Sequence, residues 1–169
     1  ILYKVEINSV FGNTSLSINK IEFDSRLISD GDMYIAITGL NVDGHSFISQ
    51  AIQNGASCIV CEKTPDNKID GVVYVNVKSS RKALAIISSN YFDNPSSKLN
   101  LIGVTGTNGK TTIATLLFDL YTELEIKSGL ISTVKISYDN KNFQANQTTP
   151  DSLSINRFLS EMVNSNVRY

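Results

Sequence analysis

Apolar positions in the first ninety residues fall into short blocks separated by polar turns. Lys20-Ile21-Glu22-Phe23, Met33-Tyr34-Ile35-Ala36-Ile37, Cys58-Ile59-Val60-Cys61 and Val72-Val73-Tyr74-Val75 are rich in β-branched and aromatic residues and read as strands. Between the second and third blocks, Phe47, Ile48, Ala51 and Ile52 recur at helical spacing, and Gly55 stands where such a helix ends. A second amphipathic pattern, with Leu84, Ile87 and Tyr91, follows the fourth block. Strand and helix alternate, which favours an α/β layer over an all-β design.

The pattern stops at Asp93-Asn94-Pro95-Ser96-Ser97-Lys98, a polar stretch with proline that reads as a connector. Two domains are expected, 1–94 and 99–169. The second is predicted to open on a strand through Leu101-Ile102-Gly103-Val104-Thr105 and to continue as a helix from Thr111 to Thr122. Strands at Ser128–Ile131 and Val134–Ser137 and a helix from Asp151 to about Asn164 complete it. Nucleotide-binding sheets carry roughly five or six strands, so this half reads as the start of a larger domain and the chain as the N-terminal part of a longer protein.

Composition narrows the classes of function. Hydrophobic residues make up 41% of the 169, enough for cores, and the formal net charge is -1 with basic residues scattered along the chain. No polybasic arm marks a nucleic-acid partner. No apolar stretch approaches the roughly 20 residues of a membrane span, and no secretion signal opens the chain, so a cytoplasmic protein without membrane insertion is expected. Cys58 and Cys61 form a Cys-x-x-Cys, a spacing that also serves redox and metal sites. Their apolar setting and the lack of a second pair favour two strand residues that behave as small hydrophobes.

The densest chemistry lies in Gly103-Val104-Thr105-Gly106-Thr107-Asn108-Gly109-Lys110-Thr111-Thr112, between an apolar segment and a helical pattern. A polyphosphate calls for converging backbone N–H groups, which Gly106, Thr107, Asn108, Gly109 and Thr112 help to offer. Lys110 adds a compact positive charge, and the Thr111 hydroxyl is placed to reach Mg2+ at the first helical turn. ATP or GTP with magnesium is the ligand implied. The run departs from the general phosphate-loop pattern, because Val104 stands at its first glycine position and Gly103 falls one residue early. The alternative is a glycine-rich turn such as many α/β domains contain.

Three more clusters accompany the loop: Phe23-Asp24-Ser25-Arg26, then Thr38-Gly39-Leu40-Asn41-Val42-Asp43-Gly44-His45, and finally Gln147-Thr148-Thr149-Pro150-Asp151-Ser152. In this order and spacing, from about Ile21 to Tyr169, the chain resembles the Mur ligases, ATP-dependent amino acid ligases of peptidoglycan precursor synthesis. Thr148-Thr149-Pro150-Asp151 is closest to the type that adds the third residue of the stem peptide.

The resemblance implies a small N-terminal α/β domain that binds the UDP end of the substrate, followed by the start of a phosphate-loop ATP-binding α/β domain. It also implies roles for individual residues. Phe23, Ser25, Leu40, Asn41 and Val42 would contact the uridine nucleotide, although positions 40 to 42 follow no fixed family pattern. Gln147, Thr148 and Thr149 would contact the sugar-linked end of the substrate, and Lys110 and Thr111 would serve catalysis, with Thr111 also at the metal. The implied substrates are UDP-N-acetylmuramoyl-L-Ala-D-Glu, ATP and a diamino acid, meso-diaminopimelate or L-lysine.

Plainer roles stand beside these. Asp24-Ser25-Arg26 could be a strand-end turn with a surface ion pair, and Thr149 or Asp151 could simply cap the last helix. His45, the single histidine, reads as a turn residue, because an ionised carboxylate nucleophile needs no general base. Folylpolyglutamate synthase shares the loop but lacks an Asp-Ser-Arg unit of this kind. A ligase that adds D-Ala-D-Ala fits the first half alone, and a non-catalytic module holding ATP and a UDP-sugar belongs to a different class.

Overall fold

Parallel pairing of the apolar blocks builds the first half of the chain. The structure, a computed structural model, describes residues 1–39, 42–144 and 149–169. Its strands there are β1 (Ile7–Phe11), β2 (Ile21–Glu22), β3 (Met33–Ile35), β4 (Cys58–Cys61) and β5 (Val73–Val77), in the spatial order β1-β5-β4-β3-β2. β2 to β5 are parallel neighbours, and β1 runs antiparallel along β5 at the edge. The carboxyl ends of four strands therefore share one side of the sheet, which is where open α/β sheets take ligands.

β3, β4 and most of β5 are buried, as expected of strands covered on both faces. Ile59 and Cys61 join Tyr34, Ala36 and Tyr74 in one apolar cluster. Cys58 instead lines a cavity of about 260 Å3 with Met33, Val73 and Val75. Alternation along β4 thus places the two cysteines on opposite faces. Both are free thiols, and burial pushes Cys58 up to about 12 and raises Cys61 as well. The tyrosines bury their rings and satisfy their hydroxyls: Tyr34 donates to Gly44 O at 2.9 Å, and Tyr74 accepts from Ile69 N at 3.1 Å. Helices α1 (Ile48–Gln53) and α2 (Ser80–Tyr91) supply the cover, with a short 3-10 turn at Gly44–Phe47 leading into α1.

The chain divides into two compact units, Ile1–Asn90 and Tyr91–Tyr169. The second contains α3 (Lys110–Glu123), β6 (Gly129–Ile131), β7 (Lys135–Tyr138), β8 (Lys141–Gln144) and α4 (Ser152–Asn164). β6, β7 and β8 form an antiparallel sheet, and Ile136 and Tyr138 pack against Leu159, Met162 and Val167. Among the described residues no helix is long and apolar enough to cross a membrane.

One predicted strand is corrected. Residues 101–105 belong to no strand or sheet, and Leu101 and Ile102 are exposed. An apolar run becomes a strand only where a neighbour accepts its ladder bonds, and no described strand pairs with this one. α3 likewise buries none of its residues, leaving Ile113, Leu116 and Leu120 exposed. Two strands outside the expected set, β1 and β8, are mostly or wholly exposed, so neither has the apolar pattern of a covered strand.

Candidate nucleotide-binding sites

In the first unit, the candidate residues sit where the parallel strands end. Phe23 follows β2 and is partly exposed. Asp24 caps the short 3-10 turn Ser25–Leu27 by accepting Arg26 N–H at 3.0 Å, and the Arg26 guanidinium closes on the same carboxylate at 2.6 Å. That side-chain bond from Arg26 holds the Asp24 carboxyl below its ordinary range. The surface ion pair expected at this turn is present. Ser25 is buried: its Oγ donates to Gln50 Oε1 at 2.9 Å, and its carbonyl accepts from Asn54 Nδ2 at 2.8 Å.

Thr38 and Asp43 form an isolated bridge, and Gly39 N–H donates to Val42 O at 2.9 Å. Val42 is exposed; Leu40 and Asn41, also expected at the uridine, lie outside the described residues. One oxygen of Asp43 accepts from Thr38 Oγ1 at 3.2 Å and His45 N at 3.1 Å, and it lies 2.7 Å from His45 Nδ1. The backbone bond from His45 and then its side chain lower the Asp43 carboxyl. Burial foremost, then the carboxylates of Asp24 and of Asp43, push the Tyr34 phenol up to about 12.

In the second unit, the loop before α3 takes backbone conformations that suit glycine, with Gly106 at φ +152° and Gly109 at φ +77°. A Cβ at either would meet no close neighbour, so backbone dihedral angles rather than crowding favour glycine here. Thr107, Asn108 and Thr112 are exposed, and no side chain caps the N-terminus of α3, leaving N–H donors at its first turn. Lys110 Nζ folds back to donate to Gly106 O and, at 3.2 Å, to Thr107 O. Thr111 Oγ1 pairs with Thr133 Oγ1 at 2.9 Å. Lys110, Thr111, Thr133 and Thr149 line one cavity of about 510 Å3 with Leu101 and Phe118 among its apolar walls.

Gln147 and Thr148 lie outside the described residues. Of the two candidate caps for the last helix, Asp151 is the one used, accepting Ser154 N–H at 2.8 Å. Sequence reasoning missed Thr133, Gln50 and Tyr34. Thr133 lies in a polar turn between strands and meets Thr111 from 22 positions away, a pairing that no local motif announces.

The loop offers uncapped N–H groups at the first turn of α3 beside Lys110 and Thr111, the kinds of group that a polyphosphate with magnesium calls for. Among the described residues no group of three His, Cys, Asp or Glu could hold a metal ion, and Thr111 is the loop residue whose hydroxyl could join a magnesium ion at the first turn of α3. Mg2+ suits such an arrangement, since phosphate oxygens and water supply most of its coordination shell.

Comparison with known proteins gives a consistent family. Residues 17–92 match the family described as "Mur ligase family, catalytic domain", and residues 104–169 match "Mur ligase middle domain". The UDP-N-acetylmuramoyl-L-alanyl-D-glutamate--2,6-diaminopimelate ligase of Cytophaga hutchinsonii is 48% identical over 164 residues, covering 96% of this chain and 34% of the relative. The protein of the same name from Clostridium tetani is 43% identical over 171 residues, covering 100% of this chain and 35% of the relative. The chain thus spans about a third of the length of these curated relatives.

Among solved structures, one titled as a UDP-N-acetylmuramoyl-L-alanyl-D-glutamate--2,6-diaminopimelate ligase shares the fold with a TM-score of 0.73 at 22% identity, covering 89% of this chain and 30% of that one. A MurF ligase from Thermotoga maritima in complex with ADP gives a TM-score of 0.52 at 31% identity, covering 64% of this chain and 24% of that one. Ordered motifs, a glycine-rich loop opening a helix and matches across both units lead to one conclusion: the chain belongs to the Mur ligase family.

Proposed function

We propose that the complete protein is an ATP-dependent ligase that joins 2,6-diaminopimelate to UDP-N-acetylmuramoyl-L-Ala-D-Glu in the cytoplasm. The observation that carries this is Lys110 at the uncapped N-terminus of α3, behind the Gly106–Gly109 loop, in a chain whose relatives bear that name. An oxygen of the D-Glu carboxylate attacks the γ-phosphorus of ATP and ADP leaves. The amine of the incoming residue then attacks the acyl carbon, and phosphate departs with that oxygen.

Bringing an anion to a polyanion requires concentrated positive charge and fixed geometry. Lys110 and the N–H groups from Gly106 to Thr112 supply the charge on the protein side. Mg2+, when bound, neutralises phosphate charge beside the Thr111 hydroxyl. Thr149, at the same cavity, with Gln147 and Thr148, would hold the sugar-linked end of the substrate. Phe23, Ser25, Leu40, Asn41 and Val42 would hold the uridine, where a hydroxyl and an amide can read a base edge.

An isotope experiment tests the chemistry. With the D-Glu carboxylate labelled with oxygen-18, the full-length protein should release phosphate carrying one labelled oxygen. Unlabelled phosphate would exclude the acyl phosphate route.

A further inference from the structure

His45 lies between two elements that share no chain connection nearby. Its side chain is only 11% exposed, and both ring nitrogens are engaged. Nε2 accepts the backbone N–H of Glu62 at 2.9 Å and that of Lys63 at 3.4 Å, immediately beyond the carboxyl end of β4. A backbone N–H can only donate, so Nε2 is unprotonated and Nδ1 holds the ring proton, which goes to Asp43 at 2.7 Å. The tautomer follows from the partners.

The links continue on both sides. Asp43 closes the segment after β3 by accepting from Thr38 Oγ1, and Arg81 Nη2 donates to Thr38 O at 3.4 Å. Beyond His45, the Glu62 carboxylate accepts Ser80 N–H at 2.8 Å, where α2 begins after β5. A chain of hydrogen bonds thus runs along the carboxyl ends of β3, β4 and β5, with the imidazole as the cross-strand link. The bridge of Thr38 to Asp43 and the bond of Gly39 to Val42 tie the two sides of this segment to each other. Neither attaches it to β4; His45 does.

We infer that His45 is a positioning residue for the uridine end of the substrate: through Asp43 it fixes where Thr38 and Val42 lie relative to the end of β4, without touching the ligand itself. This rests on the proposed assignment of Val42 to the UDP substrate. His45→Ala removes the acceptor for Glu62 N–H and one donor to Asp43, whereas His45→Gln restores an acceptor near the Nε2 position.

The test uses the full-length protein with UDP-N-acetylmuramoyl-L-Ala-D-Glu, 2,6-diaminopimelate and ATP. His45→Ala should raise KM for the UDP substrate about tenfold, the scale of one hydrogen bond, with kcat and KM for ATP within about twofold. His45→Gln should recover most of that loss. Should the alanine variant fail to fold, His45→Asn, which keeps a donor for Asp43 and loses the Glu62 acceptor, carries the same expectation. A lower Tm with both KM values unchanged, or an equal rise in both, would overturn the positioning role.

Val42→Asp separates the two layers of the inference. If it leaves KM for the UDP substrate unchanged, Val42 is not at the uridine and both fail. If it raises that KM while the His45 variants do not, only the role of His45 fails.

Discussion

Ser25 donates its hydroxyl proton to Gln50, 25 residues away, at 2.9 Å. The bond spans from the turn after β2 to helix α1, and Asn54 holds the Ser25 carbonyl from the same helix end. A serine with its proton committed offers a ligand its lone pairs, which suits an N–H edge of the kind uracil carries. Ser25→Ala should therefore raise KM for the UDP substrate by several-fold to about tenfold and leave KM for ATP unchanged. Steady-state kinetics in both substrates check it, and equal shifts in the two would contradict a uridine-side role.

Lys110 bonds to carbonyls of its own loop, so its ammonium is held across the loop at the start of α3. Lys110→Ala should cost about 2.7–4 kcal/mol of barrier, or roughly 10²–10³ in kcat, the scale of one preorganised charge-stabilising group. Single-turnover phosphate release measures this. A loss below about tenfold would place the essential charge elsewhere.

Asp151 caps α4 twice over, accepting Ser154 N–H at 2.8 Å and Ser154 Oγ at 2.7 Å. Asp151→Ala should lower stability by about 0.5–2 kcal/mol, read from denaturant or thermal unfolding. Asp151→Asn should recover most of it, because the amide oxygen can still accept.

Cys58 gives a signed expectation for alkaline pH. Burial pushes its thiol from 9.0 to about 12, so the folded state disfavours the thiolate. The protonated thiol's contribution to stability is complete below the unfolded value and is lost as pH rises from there through the folded one, about 12. Alkylation by iodoacetamide near pH 8 should be slow in the native protein and fast in denaturant. Rapid native labelling of Cys58 would contradict the burial.

The elements that proved legible were those whose local pattern and long-range setting agree. β3, β4 and β5 are covered strands, and their continuous apolar runs announce it. β1 and β8 escaped notice because exposed strands need no such pattern. A turn signal was nonetheless present, since Asp139 and Asn140 between β7 and β8 both take positive φ, 46° and 61°, as a two-residue hairpin turn favours. Leu101–Thr105 failed the other way: its pattern is that of a strand, and pairing is a property of neighbours. Local chemistry behaved alike. Gly-Lys-Thr at a helix start and Asp151 as a cap are written in adjacent residues, whereas Thr111 with Thr133 and His45 with Glu62 depend on the fold.

The central claim is the reaction, and substrate-dependent phosphate release tests it most directly. The full-length protein would be given ATP and magnesium with UDP-N-acetylmuramoyl-L-Ala-D-Glu and either meso-diaminopimelate or L-lysine, and in parallel a folate with glutamate. The account predicts phosphate release with meso-diaminopimelate and a product extended by that residue. Silence with both muramoyl pairs in protein shown to bind ATP, or release in the folate reaction alone, would contradict it.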